Sequence, residues 1–389
     1  MRTLSFCVSL PCVALLLSSL GCDDDGDAST GSSTTNTDAS TGPVDGTGSG
    51  TTTASGSSSS SGSGNTSGGS TSGSGSETGS SETGGVPVTI DLDALQDWTR
   101  VEGRILYDVV EGYPAAADAH VFRDENGELA AIYSGADPNE PDYSAIKLAR
   151  GSEPAVWEIG DALLNGTDAP AEQLNKETSF YRRAADGTHQ IYYIGYDDEE
   201  TYQSQIFRAE SADLEGPYTV QVEPSIARGL QGEHDIQVMT SPSIVQDEGT
   251  LYMFYCAWNQ FEENDDLRVW VHGATSDDGG DTWTVLGEVD VPVCMEGALT
   301  KGPDGMFYAV AQGEGGITLG RADEPLGAYE MLPEPILTPA GPPYEIDELN
   351  TPQLHFEDDV LFLYYSGANY SDADYEYGWW AMLAYTSLE

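Results

Sequence analysis

Five stretches of the chain repeat one pattern, and a repeat of this length constrains the fold more than composition can. Each stretch begins with a short apolar run, passes through a turn built on Asp, Glu or Gly, and returns as a run of aromatic and β-branched residues. The five are Asp118–Gly127 with Ile132–Gly135, Glu177–Gly187 with Ile191–Gly195, Ser241–Gly249 with Tyr252–Tyr255, Glu296–Gly305 with Phe307–Val310, and Asn350–Asp358 with Leu361–Gly367. Their starts lie roughly 54 to 64 residues apart, in the range of propeller repeats. Runs of this composition, bounded by turn residues, read as strands of hairpins. A third strand follows in each unit: Ser144–Ala149, Ser204–Ala209, Val269–Ala274, Gly316–Gly320 and Trp379–Tyr385. The first four units then run on into a fourth strand, such as Thr282–Leu286.

Five such units predict an all-β chain folded as a five-bladed β-propeller. The fifth unit has no sequence left for a fourth strand, whereas Trp98–Leu106, ahead of the first, resembles the outer strands of the others. We expect this N-terminal strand to complete the last blade and close the ring, leaving only short edges exposed. Ser276–Trp283 matches the pattern Ser-x-Asp-x-Gly-x-Thr-Trp, the Asp-box, a hairpin device found between propeller strands. It supports the fold and says little about chemistry, and Trp283 is expected to pack.

The propeller is expected to occupy residues 86–389. Residues 22–85 are almost wholly Ser, Gly, Thr, Asn, Asp and Glu, too polar to offset the entropy of ordering them, and predict a disordered tether. Residues 1–21 read as an export signal, with Arg2 before a short apolar core from Leu10 to Leu20. The stretch Ser19–Cys22 resembles a bacterial lipoprotein signal, which implies lipidation of Cys22 and an extracellular or cell-surface protein that meets the membrane only through its lipid anchor. The chain carries 66 acidic against 14 basic residues, a net charge of −52. A surface so anionic repels nucleic acid and anionic lipid. Two cysteines remain for the folded part, Cys256 and Cys294. They form an even pair suited to a disulfide in an oxidising compartment, and two thiols alone do not make a metal site.

Strand direction orders the loops. The loops after four of the second strands, next to the starts of the first strands, are long, acidic and aromatic: Ala136–Tyr143, Tyr196–Tyr202, Trp258–Asp266 and Asn369–Tyr377, whereas the fourth repeat has only Gly313–Gly316. The opposite face has short turns. Trp258, Asn259, Tyr196 and Tyr370 on the elaborated face are expected to contact or stack on sugar rings, with rim packing as their alternative role. On the same face the starts of the innermost strands present Asp118, Glu177, Ser241, Glu296 and Asn350 toward the axis. Carboxylates gathered in a partly dry pocket push their pKa values apart, so that one serves as acid and another as base. Asp118, Glu296 and Glu177 are the expected catalytic groups, with Ser241, Asn350 and His120 binding substrate.

Three stretches, Ala117–Asp124, Ser241–Asp247 and Met295–Ala298, resemble the five-bladed glycoside hydrolases of families 43, 62 and 32 and their relatives. In family 43 the first-blade aspartate is the general base and the fourth-blade glutamate, typically followed by Gly, is the general acid. The resemblance implies Asp118 and Glu296 in those roles, acting on a neutral arabinoside- or xyloside-type glycan. The family's third-blade aspartate, which tunes and orients the acid, falls here on Ser241; Asp235, Glu233 and Glu177 are candidates to replace it. Two other readings stand beside hydrolysis. One is a non-catalytic, surface-tethered carbohydrate-binding propeller, and the other a sialidase-like enzyme, for which the scattered arginines offer no carboxylate-binding set. No cofactor is required and no zinc-ligand spacing is present. The acidic loops offer oxygens suited to a structural calcium ion. The chain is expected to act as a monomer.

Overall fold

Short polar turns decide where each strand reverses. At the first, Asp124 accepts the backbone N–H groups of Asn126 and Glu128, both at 2.9 Å. Gly127 there takes a φ of 78°, which a side chain would strain. Asp186 and Asp304 repeat the device on the N–H groups of Thr188 at 3.0 Å and Met306 at 3.1 Å. The computed structural model describes residues 89–388 except 108, 111–112, 140–142, 166–172, 197–202, 230–237, 259–268, 294–295 and 372–377. Cys22 and the expected signal and tether lie outside the described residues.

The strands form antiparallel meanders that follow the sequence repeats, the first and last joined into one sheet by parallel pairing of Trp379 with Ala115 and Trp380 with Ala116. The first runs Tyr113–Arg123, Leu129–Ala136, Ser144–Glu153 and Val156–Leu164. The second is Asn175–Arg183, His189–Tyr196, Gln205–Ser211 and Thr219–Val220. The third is Val238–Asp247, Thr250–Trp258, Val269–Ser276 and Thr284–Glu288, and the fourth Ala298–Lys301, Phe307–Gly313, Gly316–Ala322 and Glu330–Met331. Glu348–Glu357, Val360–Asn369 and Gly378–Ser387 make three strands of the last, and Thr99–Arg100 pairs with Tyr385 and Ala384 beside them. That pairing continues past the short strand, with Val101 N–H donating to Leu383 at 2.8 Å and Ile105 N–H to Ala381 at 2.9 Å. Among the described residues there is no α-helix; one 3-10 turn, Leu92–Gln96, precedes the strands.

The second strands are mostly apolar because both faces are covered. Every residue of Leu129–Ala136 and of His189–Tyr196 is buried. The outer strand Thr284–Glu288 instead alternates exposed and half-buried positions. Between sheets the cores are aromatic. Phe122 stacks on Tyr181 at 3.8 Å between the first and second sheets. Tyr192 and Ile194 meet Met239 and Tyr255 between the second and third. Phe254 meets Phe307, Tyr308 meets Leu363, and Tyr364 meets Val121 across the remaining junctions. Each fully buried side chain of this size contributes roughly 1.5–3 kcal/mol. The Ser276–Trp283 turn is held internally, with Ser276 Oγ accepting Gly280 N–H at 2.9 Å and Asp278 accepting Thr282 N–H at 3.0 Å. Arg182 of the second sheet donates to the Gly279 carbonyl at 2.7 Å, and Trp283 packs edge-on against Tyr192 at 5.9 Å.

Candidate active site

Four inner strands depart from regular backbone at the same point, and the residue leading into the remaining one shares their unusual conformation. Register slips between Ala117 and His120, Glu177 and Phe180, Thr240 and Ser243, and Asn350 and Gln353. At each slip a non-glycine residue takes a left-handed φ: Asp118 at 55°, Thr178 at 43°, Ser241 at 51° and Thr351 at 45°. Glu296, just ahead of the fourth inner strand, takes 68°. A left-handed L-residue costs roughly 1–2 kcal/mol, and β-branched threonine is among the least tolerant. Bulges of this kind re-aim a side chain. All five side chains line one cavity of about 50 Å³, whose floor is formed by His120, Phe180, Ser243, Ala298 and Gln353.

Equivalence in space therefore corrects the expected set. Asp118, Ser241 and Glu296 stand where the repeat places them. Glu177 and Asn350 do not: the equivalent positions are Thr178 and Thr351, one residue further on. Because successive side chains of a strand face opposite ways, a slip of one residue changes what each touches. Glu177 accepts a hydrogen bond from the Tyr196 hydroxyl at 2.8 Å, and Asn350 donates its amide to Glu348 at 3.2 Å. The pairs Ser241-Pro242 and Thr351-Pro352 carried the true alignment, but matching by acidity concealed it.

Backbone N–H groups at these strained points are captured by small polar side chains from neighbouring sheets. Asp118 N–H donates to Ser366 Oγ at 3.0 Å and Thr178 N–H to Ser134 Oγ at 3.1 Å. Glu296 N–H donates to Cys256 Sγ at 3.3 Å. Ser134, Cys256 and Ser366 occupy matching places in the second strands of their repeats, so Cys256 is the thiol counterpart of two serines. Its Sγ in turn lies 3.2 Å from the Val293 carbonyl, as donor. The expected disulfide has its other end, Cys294, outside the described residues.

The two carboxylic acids sit in opposite surroundings. Burial pushes Asp118 above the usual carboxylate range, while the hydroxyls of Ser134 and Thr351 and the N–H of Thr178 hold it back. Glu296 is pushed well above its ordinary value by burial first, then by the negative fields of Asp118, Glu348, Cys256 and Glu177. Asp118 thus ionises first, and its charge keeps the proton on Glu296. Gly297 makes this placement possible: a Cβ there would sit 2.4 Å from the Val310 carbonyl oxygen.

The rim expectations need correction. Trp258 is buried at the end of its strand against Val238, Cys256 and Val269. Tyr196 is 3% exposed, packed with Ile206 and Met239. Neither presents a ring face to solvent, because strand-end aromatics here turn into the space between sheets. Tyr370 remains half-buried, 6.4 Å from Trp379. His120 lines the cavity but meets Phe180 edge-on at 4.1 Å, and burial lowers it to about 3, so it is neutral. Asn259, Asp235 and Glu233 lie outside the described residues, as does much of each elaborated loop. Among the described residues no cluster of three or more His, Cys, Asp or Glu is arranged to hold a metal ion. Thr178, Thr351, Ser134 and Glu348 are the site residues that sequence reasoning did not single out.

The fold is similar to that of solved β-propeller glycoside hydrolases. A family 117 glycoside hydrolase of the marine bacterium Zobellia galactanivorans superposes with a TM-score of 0.58 at 14% identity, covering 77% of this chain and 92% of that one. An α-L-arabinofuranosidase from Podospora anserina in complex with cellotriose gives a TM-score of 0.52 at 10% identity over 75% and 97%. The GH43_1 enzyme from Xanthomonas citri complexed with xylose gives 0.52 at 13% identity over 76% and 91%. At such identities the likeness defines the fold. No protein-family model matches the sequence, and comparison with curated proteins returns no match.

Proposed function

We propose that this chain is a glycoside hydrolase built on five blades, with the segment at Thr99–Arg100 closing the ring, and that it cleaves neutral glycans of arabinoside or xyloside type. Asp118 is the general base that removes a proton from the attacking water. Glu296 is the general acid that protonates the departing glycosidic oxygen. The observation that carries this reading is the pairing of two half-buried carboxyl groups at equivalent strained positions around one cavity, in opposite electrostatic surroundings. The solved structures bound to cellotriose and to xylose, similar in fold, support a carbohydrate ligand. The lipoprotein-like start of the sequence supports a cell-surface location, with membrane contact through a lipid on Cys22 and the propeller acting as a monomer. The test is product release by purified protein from a panel of neutral oligosaccharides, read by chromatography. Release by the parent protein and none by Glu296→Gln on unactivated substrates is the expected result; full activity in that variant overturns the assignment.

A second reading has its own observation. Three of the five residues around the cavity, Thr178, Ser241 and Thr351, are hydroxyls, and none is the third acid of family 43. A non-catalytic carbohydrate-binding propeller fits that set. Binding on a glycan array without product after long incubation selects it, and turnover of any bound glycan excludes it.

A further inference from the structure

One half-buried carboxyl group near the cavity has no part in the reading above. Glu348 opens the fifth inner strand, two residues before Asn350 and three before the strained Thr351. Both of its oxygens accept amide N–H groups: Oε2 from Gln312 at 3.0 Å and Oε1 from Asn350 at 3.2 Å. Gln312 ties this carboxyl to the fourth sheet at the level of Glu296. Ala298 pairs with Val310, so Gly297 and Glu296 on one strand and Ala311 and Gln312 on the other continue toward the same end. Two amide donors orient the Glu348 carboxyl and favour its charged form. Its field on Glu296 ranks next after that of Asp118.

We propose that Glu348 is a positioning residue that keeps the proton on Glu296, supplying from the fifth repeat the negative charge that Ser241 does not supply from the third. The inference rests on Glu296 being the acid proposed above. The groups facing Glu296 are Asp118 from the first inner strand, Glu177 from the second, Cys256 from the third sheet and Glu348 from the fifth. Those facing Glu348 are Asp347 and Tyr370, beside the two amides. Burial raises Glu348 itself to about 7. Its charge therefore develops through neutral pH, where it reinforces that of Asp118. None of the replacements weighed from the sequence came from this repeat.

The experiment titrates Glu296 directly. The full chain is labelled with glutamate carrying ¹³C at the carboxyl carbon, and the resonance missing in Glu296→Gln identifies the acid. In Glu348→Gln the Glu296 midpoint is expected to move to lower pH by about half a unit or more. Gln312→Leu, which removes one donor to Glu348 and so weakens its charged form, is expected to move it the same way by less, and serves if Glu348→Gln does not fold. A Glu296 midpoint unchanged in the folded variants overturns the proposal. Because the titration needs no substrate, it decides the role of Glu348 even if no glycan is cleaved. If hydrolysis is found, the alkaline limb of the kcat/KM profile of Glu348→Gln shifts down with the titration, whereas a merely structural role lowers the plateau and leaves the limb in place.

Discussion

Asp118 and Glu296 share a backbone conformation and one cavity, yet their neighbours differ in kind. Around Asp118 the first, fifth and second repeats place donors, namely the Ser134 and Thr351 hydroxyls and the Thr178 N–H, that favour the charged form. Around Glu296 the surroundings are acids and a thiol, which favour the proton. Burial acts on both in the same direction, so burial alone cannot assign roles. The neighbours do, and they come from other strands, of the same repeat and of others, rather than from the strand that carries each acid. The fold thus makes two equivalent positions inequivalent by what the strands around each one contribute.

The sharpest way to break this comparison is to neutralise each acid in turn. Asp118→Asn is expected to lower kcat/KM about 10²–10⁴-fold on every substrate, because attacking water always needs its base. Glu296→Gln is expected to lose a similar factor on natural glycosides and far less on aryl glycosides, whose leaving groups depart without a proton. Equal losses on both substrate types would cancel the distinction between the two sites. A smaller loss follows from the backbone. Ala119, after Asp118, already carries a Cβ, whereas Gly297, after Glu296, leaves no room for one. Gly297→Ala is expected to destabilise by roughly 1–3 kcal/mol, measured by chemical denaturation, with kcat falling as Glu296 is displaced.

The repeat made the architecture legible because hydrophobic periodicity and turn chemistry are local. Strand order, the Asp124 and Asp304 turns, and the pairing of Thr99–Arg100 with the last strand all follow from such signals. Asp118 and Glu296 were legible for the same reason. Glu177 and Asn350 were misplaced because a bulge adds one residue without changing the apolar pattern, and threonine at positive φ is a conformation that local propensity argues against. Trp258 and Tyr196 stand between sugar stacking and rim packing in the sequence because a residue at a strand end borders a loop, and the structure turns both side chains inward. Glu348 was invisible for a third reason: its partner Gln312, 36 residues earlier in the chain, is brought to it by packing between sheets.

The remaining tests sharpen the contrast through single hydrogen bonds. Thr351→Val keeps the shape and removes one hydroxyl that favours ionised Asp118. Asp118 then ionises at higher pH, so the acidic limb of kcat/KM moves up and activity falls below that limb while the plateau holds. The cost is about 1 kcal/mol, and an unmoved limb would show that Thr351 does not serve the base.

On the other side, Cys256 offers the smallest and most discriminating change. Its Sγ accepts the strained N–H of Glu296, the place where Ser134 and Ser366 serve Thr178 and Asp118. If the acceptor is what matters, Cys256→Ser should retain stability and activity within a few tenths of a kcal/mol. Cys256→Ala, leaving a buried N–H unpaired, should lose roughly 1–3 kcal/mol and disturb Glu296 more than Asp118. Equal losses in Ser and Ala would mean that the sulfur matters for something other than accepting that bond. A disulfide to Cys294 is then the reading to pursue, and intact-mass measurement before and after reduction decides it.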